Sequence, residues 1–132
     1  MIVGIGVDVV DLERFASTMR RQPSITRRVF SEGEQVYCDS ASAERVRVER
    51  YAARFAAKEA VGKALGCGIG TYPFASVEVV RNEDGAPSLA FHGKAAERAS
   101  AAGADRWHLS LTHGELVTIA FVVAERAEGT DP

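Results

Sequence analysis

The sequence predicts an α+β fold, with a small antiparallel sheet packed against one long helix and several shorter helices. Three observations predict it. Residues 43–65 read as one long helix. Two pairs of apolar runs, 76–81 with 88–92 and 107–113 with 116–124, are each separated by turn residues and read as hairpins. Strands and helices do not alternate regularly, which argues against a doubly wound sheet.

Each element has its own justification. "IVGIGVDVV" (2–10) is a short, β-branched apolar run and reads as a strand. Alternation puts Val3, Ile5, Val7 and Val9 on one face, and Ile2, Gly4, Gly6 and Asp8 on the other. Residues 11–22 read as a helix stopped near Pro23. A second short helix starts near Ser31, where "SEGE" offers a capping box. The long helix is rich in Ala, Leu, Lys, Glu and Arg, all strong helix formers. "GCGIG" (66–70) follows it, with glycine where a helix is expected to end. The hairpin 76–92 turns through Asp84-Gly85, a short helix covers about 94–102, and the last hairpin turns at His113, Gly114 and Glu115. About five strands in one sheet are expected. The polar tail, about 126–132, is expected to fray.

The chain of 132 residues fits a single domain, residues 1–132, with a real core. Apolar residues make up 46% and charged residues 26%, an ordinary globular balance. A net charge of −2 does not favour a general nucleic-acid binder. No apolar run reaches the ~20 residues of a membrane span. The N-terminus has no basic region of a signal peptide, so the cytoplasm is expected. Cys38 and Cys67 form no CxxC pair and are expected as free thiols. His92 and His108 have no partner at zinc-ligand spacing.

Two carboxylates break the apolar pattern. Asp8 ends a strand face shared with two glycines. Glu59 continues the stripe Val48, Ala52, Phe55 on the long helix, with Gly62 after it. Each could be a structural ion pair, such as Glu59 with Lys63 at i+4, or sit at an exposed end. Together, beside glycines and lysines, they describe a site for a divalent cation and a phosphate. Lys63 shares the Glu59 face, and Lys58 is turned about 100° away. Lys63 would take one phosphate, with Arg54 or Lys58 for a second; a solvated face is the plain alternative for Lys58. "GCGIG" could carry a ligand on its backbone or simply end the helix. His113 could be a turn residue or a phosphate contact. The stretch 14–28 holds Arg14, Arg20, Arg21, Arg27 and Arg28 with no acidic residue, and suits an acidic protein partner better than nucleic acid.

The strand "GIGVDVVDLERF", the helix "RFAAKEAVGKALG" and the closing "SLTH" resemble the holo-acyl-carrier-protein synthases, small bacterial 4′-phosphopantetheinyl transferases. The resemblance covers most of the chain, weakly at 30–50 and 76–92. It implies Mg²⁺-dependent transfer of 4′-phosphopantetheine from coenzyme A to a serine of apo acyl carrier protein, in fatty acid biosynthesis. It implies Mg²⁺ on Asp8 and Glu59, and the coenzyme A phosphates on Lys63. Gly66, Cys67 and Gly68 would line the ligand, with Arg54 and His113 near its phosphates. Arg14, Arg21 and Arg28 would meet the carrier protein. Cys67 stands where a small hydroxyl residue is familiar. The base would be Glu59 or a metal-bound water. A homotrimer with sites between subunits is also implied. The rival reading is a non-catalytic coenzyme A or nucleotide-binding module.

Overall fold

A computed structural model describes residues 1–68 and 70–128. Strand β1 (Ile2–Asp11) runs into helix α1 (Leu12–Arg21), whose first turn is capped by Asp11 accepting from the Arg14 N–H at 2.8 Å. A short helix α2 (Ile25–Val29), not expected from the sequence, occupies the arginine stretch after Pro23. Helix α3 (Glu32–Asp39) opens with the expected capping box of Ser31 and Glu34. Helix α4 (Glu44–Leu65) is the long helix and ends at Gly66, whose φ of 68° is the left-handed region that glycine favours. A 3₁₀ turn (Phe74–Ser76) leads into the hairpin β2 (Val77–Arg81) and β3 (Pro87–Phe91). Helix α5 (Gly93–Ala101) and the hairpin β4 (Arg106–His113) and β5 (Val117–Glu125) complete the chain.

The strands form two antiparallel sheets rather than one of five strands. One has the order β1-β5-β4; the other is the β2-β3 hairpin. They meet through Phe91 and Trp107, whose rings lie 4.6 Å apart. The expected tail falls partly outside the described residues, which stop at 128. At its start, Arg126 is held by backbone hydrogen bonds in both directions with Met1.

Helix α4 lies directly on β1, and the glycines of that strand make this possible. A Cβ at Gly6 would sit 1.8 Å from the Ala60 carbonyl oxygen, and one at Gly4 would sit 1.9 Å from that of Ala64. So the glycine face of β1 points inward and its β-branched face points out. Ile5, Val7 and Val9 are 55%, 47% and 57% exposed, and Phe121, paired with Val7 across the strands, is 45% exposed. The inward face of β5, with Ala120, Val122 and Ala124 buried, also packs on α4. The other side of α4 carries Tyr51 and Lys58 against α3 and β2, so this helix is buried on two sides.

Candidate active site

The carboxylates of Asp8 and Glu59 come from adjacent elements. Asp8 sits on the inward face of β1, two residues beyond Gly6, so the close helix contact brings it against α4. Lys63 reaches back over the strand. Its Nζ donates to Asp8 Oδ1 at 3.2 Å and to the Val7 carbonyl at 2.9 Å. Glu59 lies one turn earlier on the same helix face. Burial pushes the Glu59 carboxyl above its ordinary range; the negative charge of Asp8 pushes it further, and Lys63 opposes both. Two carboxylates that repel each other across a half-buried gap favour a cation between them. Both offer hard oxygen donors, and no cluster of three or more His, Cys, Asp or Glu side chains converges among the described residues. The pair therefore fits a hard divalent ion whose remaining ligands come from a substrate or water.

Glu59 stands where two grooves join. A groove of about 590 Å³ is lined by Asp8, Arg14, Phe15, Thr18, Phe55 and Glu59 among others. A smaller one of about 250 Å³ is lined by Glu59, Gly62, Lys63, Cys67, Gly68, Tyr72 and Phe74. The stripe Val48, Ala52, Phe55 thus runs from the core out to the groove wall, which is why a carboxylate can follow it. A methyl group at Gly62 would lie 3.6 Å from the Tyr72 hydroxyl oxygen, an ordinary contact, so the chain itself does not demand a glycine there. A larger hollow of about 720 Å³, between α1 and the start of α4, contains neither carboxylate.

The other expected site residues divide. Cys67 and Gly68 line the smaller groove, and Gly66 caps the helix just before it. Ile69, inside "GCGIG", lies outside the described residues. Arg14 lines the larger groove, while Arg21 and Arg28 are exposed on α1 and α2. Arg54 is buried on the far side of α4, its guanidinium 4.5 Å from the centre of the Tyr37 ring and its Nη1 donating to the Arg50 carbonyl. His113, exposed at the end of β4, lines neither groove. Within one chain, neither Arg54 nor His113 joins the carboxylates. Lys58 is neither solvated nor in a groove. It is fully enclosed, with Nζ 2.8 Å from Glu34 Oε1. His92 and His108 bond the carboxylates of Glu78 and Glu125. Tyr72 and Phe74 were not foreseen. They follow the helix by several residues, and only the return of the chain brings them back to Glu59.

A family profile described as the 4′-phosphopantetheinyl transferase superfamily matches residues 4–119. A relative from Frankia casuarinae, a holo-acyl-carrier-protein synthase, is 48% identical over 124 residues, covering 94% of this chain and 98% of its own. The crystal structure of holo-acyl-carrier-protein synthase from Neisseria meningitidis is 32% identical, with a TM-score of 0.86 over 96% of this chain and all of the other. That of the Bacillus anthracis synthase, in complex with CoA (3′,5′-ADP), is 33% identical, with a TM-score of 0.79 over 96% of this chain and 99% of the other.

Proposed function

The chain belongs to the 4′-phosphopantetheinyl transferase superfamily, and from that premise we propose that Asp8, Glu59 and Lys63 are its catalytic centre. The chain transfers the 4′-phosphopantetheine group of coenzyme A to a serine of apo acyl carrier protein. The observation that carries the residue assignment is the meeting of Asp8, Lys63 and Glu59 at the junction of two grooves.

The serine oxygen attacks the phosphorus that bears pantetheine. The bond from that phosphorus to the bridging oxygen breaks, and adenosine 3′,5′-bisphosphate leaves. Asp8 and Glu59 would hold Mg²⁺, which when bound neutralises the charge that develops on the leaving phosphate. Lys63, half-exposed at the end of its flexible stem, swings from Asp8 to a phosphate oxygen and adds a positive charge there. Glu59 is the chain's own group placed to receive the serine proton. Cys67 and Gly68 line the path of the pantetheine arm. Arg14 at the groove mouth, with Arg21 and Arg28 beyond it, meets the acidic carrier.

The exposed sheet face of Ile5, Val7, Val9 and Phe121 is covered in this reading by neighbouring subunits. A homotrimer with sites between subunits would then give the exposed His113 a role across the interface, whereas Arg54, buried against Tyr37, stays within its own chain. No helix among the described residues is long and apolar enough to cross a membrane. The proposed place of action is the cytoplasm, in fatty acid biosynthesis. The test is direct. Purified protein with coenzyme A, Mg²⁺ and an apo carrier should add one phosphopantetheine mass to the carrier serine. Coenzyme A binding without that mass gain would overturn the assignment.

A further inference from the structure

Lys58 precedes Glu59 in the chain but is turned about 100° from it, into a fully enclosed site. Its ammonium has three N–H donors. One goes to Glu34 Oε1 at 2.8 Å, one to the Phe74 carbonyl at 3.1 Å and one to the Val77 carbonyl. Glu34 is equally committed. Its Oε1 also accepts the Ser31 N–H at 2.8 Å, and its Oε2 accepts the Val79 N–H at 2.8 Å. One ion pair therefore ties α3, α4, the 3₁₀ turn and β2 together.

Stability alone is a poor account of such a pair. Enclosing two charges costs so much that well-packed apolar residues often serve as well or better. What an apolar pair cannot do is fix backbone carbonyls at set positions through directional bonds. One of the carbonyls fixed here, that of Phe74, belongs to the wall of the smaller groove, and the other, that of Val77, opens β2 just after it. Phe74 is both a bonding partner of Lys58 and a lining residue opposite Glu59, Lys63 and Cys67. Upstream, the described part of the loop between Gly66 and Pro73 is tied by the Cys67 N–H to the Gly62 carbonyl at 2.9 Å and by Thr71, whose hydroxyl and N–H reach the Gly68 carbonyl at 2.7 and 3.4 Å. The wall is held upstream by the Gly66 cap and downstream by Lys58, with the His92 N–H bonded to the Ser76 carbonyl at 2.8 Å and Phe74 packed on Phe55 beside it.

We infer that Lys58 and Glu34 are positioning residues for the transfer reaction, setting the Tyr72–Phe74 wall at a fixed distance from the helix that carries Glu59 and Lys63. The inference rests on the transfer function proposed above. It makes one residue pair on α4, Lys58 and Glu59, serve two faces: the first sets the width of the groove and the second acts in it.

The test compares wild type, Lys58→Met and the neutral pair Lys58→Met with Glu34→Gln. The single variant strands a buried carboxylate and should lower Tm sharply. The double variant removes both charges, keeps one acceptor oxygen for either the Ser31 or the Val79 N–H, and should recover part of that loss. If the pair positions the wall, KM for coenzyme A in the recovered double variant stays raised by roughly tenfold or more, while KM for the carrier protein changes less than about twofold. A double variant with recovered Tm and wild-type KM for coenzyme A overturns the inference, because stability was then the whole role. Should neither variant fold, hydrogen exchange in the wild type decides. Coenzyme A should slow exchange of the 70–76 amides; exchange there unchanged by coenzyme A overturns the inference. A wild type that transfers nothing to the carrier would instead overturn the functional reading itself.

Discussion

Lys63 Nζ lies 3.2 Å from Asp8 Oδ1, joining a helix to a strand 55 residues earlier in the chain. The contact exists because Gly4 and Gly6 let α4 settle onto β1 without a Cβ between them. It brings one positive group beside two carboxylates, and the candidate site is built around it.

Asp8→Asn and Glu59→Gln should each lower kcat by about 100-fold or more, with circular dichroism unchanged. Both residues act on one bound cation, so the double variant should lose far less than the product of the two single losses. Removing divalent ions with a chelator should mimic either variant. Near-wild-type kcat in either at saturating Mg²⁺ would refute the assignment.

Gly6→Ala should destabilise the fold by about 3 kcal/mol or more, as overpacking against rigid backbone does. The new methyl would press on the Ala60 carbonyl at 1.8 Å, and neither strand nor helix can yield by a rotamer change. Urea denaturation measures it. A loss under about 1 kcal/mol would mean that α4 and β1 sit further apart.

Phe121→Glu should leave an isolated subunit folded but monomeric. The ring is exposed on the outer sheet face beside Val7, and a charge there faces any subunit packed on it. Light scattering with activity in the same sample checks this. An active wild-type monomer at micromolar concentration would remove the need for the interface.

Iodoacetamide should modify Cys67 and spare Cys38 in the folded protein. Burial, with the charges of Glu34 and Asp39 against those of Arg54 and Arg50, leaves the Cys38 thiol pushed up to about 12, and the thiolate is the reactive form. Cys67 lines the small groove, so coenzyme A should protect it. Cys67→Ser should keep activity within a few-fold, since the loop is expected to act through its backbone. Peptide mass mapping with and without coenzyme A reads the outcome. Equal labelling of both cysteines would contradict it.

Arg21→Glu should raise KM for the carrier protein by roughly tenfold and leave Kd for coenzyme A within about twofold. Arg21 is exposed on α1, away from both grooves. Added salt should slow wild-type transfer at low carrier concentration more than it slows the variant's. Equal weakening of both substrates would place Arg21 elsewhere in the mechanism.

By itself the sequence determined what local rules govern. The Ser31–Glu34 capping box, the end of the long helix at Gly66, the two hairpins and the order of elements apart from α2 follow from periodicity, capping and turn chemistry within a few residues. So did the misfit of Asp8 and Glu59, because a charge in an apolar period is visible without a partner. Only the tertiary structure decided what each charge meets. Lys58 and Lys63 are near neighbours in composition and position, yet one is sealed against Glu34, 24 residues away, and the other is half-exposed on Asp8. The glycines of β1 have the same character. Periodicity gave them a shared face with Asp8, but that the face holds a helix backbone at contact distance depends on the partner that arrives. Arg54 and the division into two sheets belong there too. A helical period specifies which residues share a face. It carries no information on which distant element that face will bury, and the chemistry of a buried charge is set by that element.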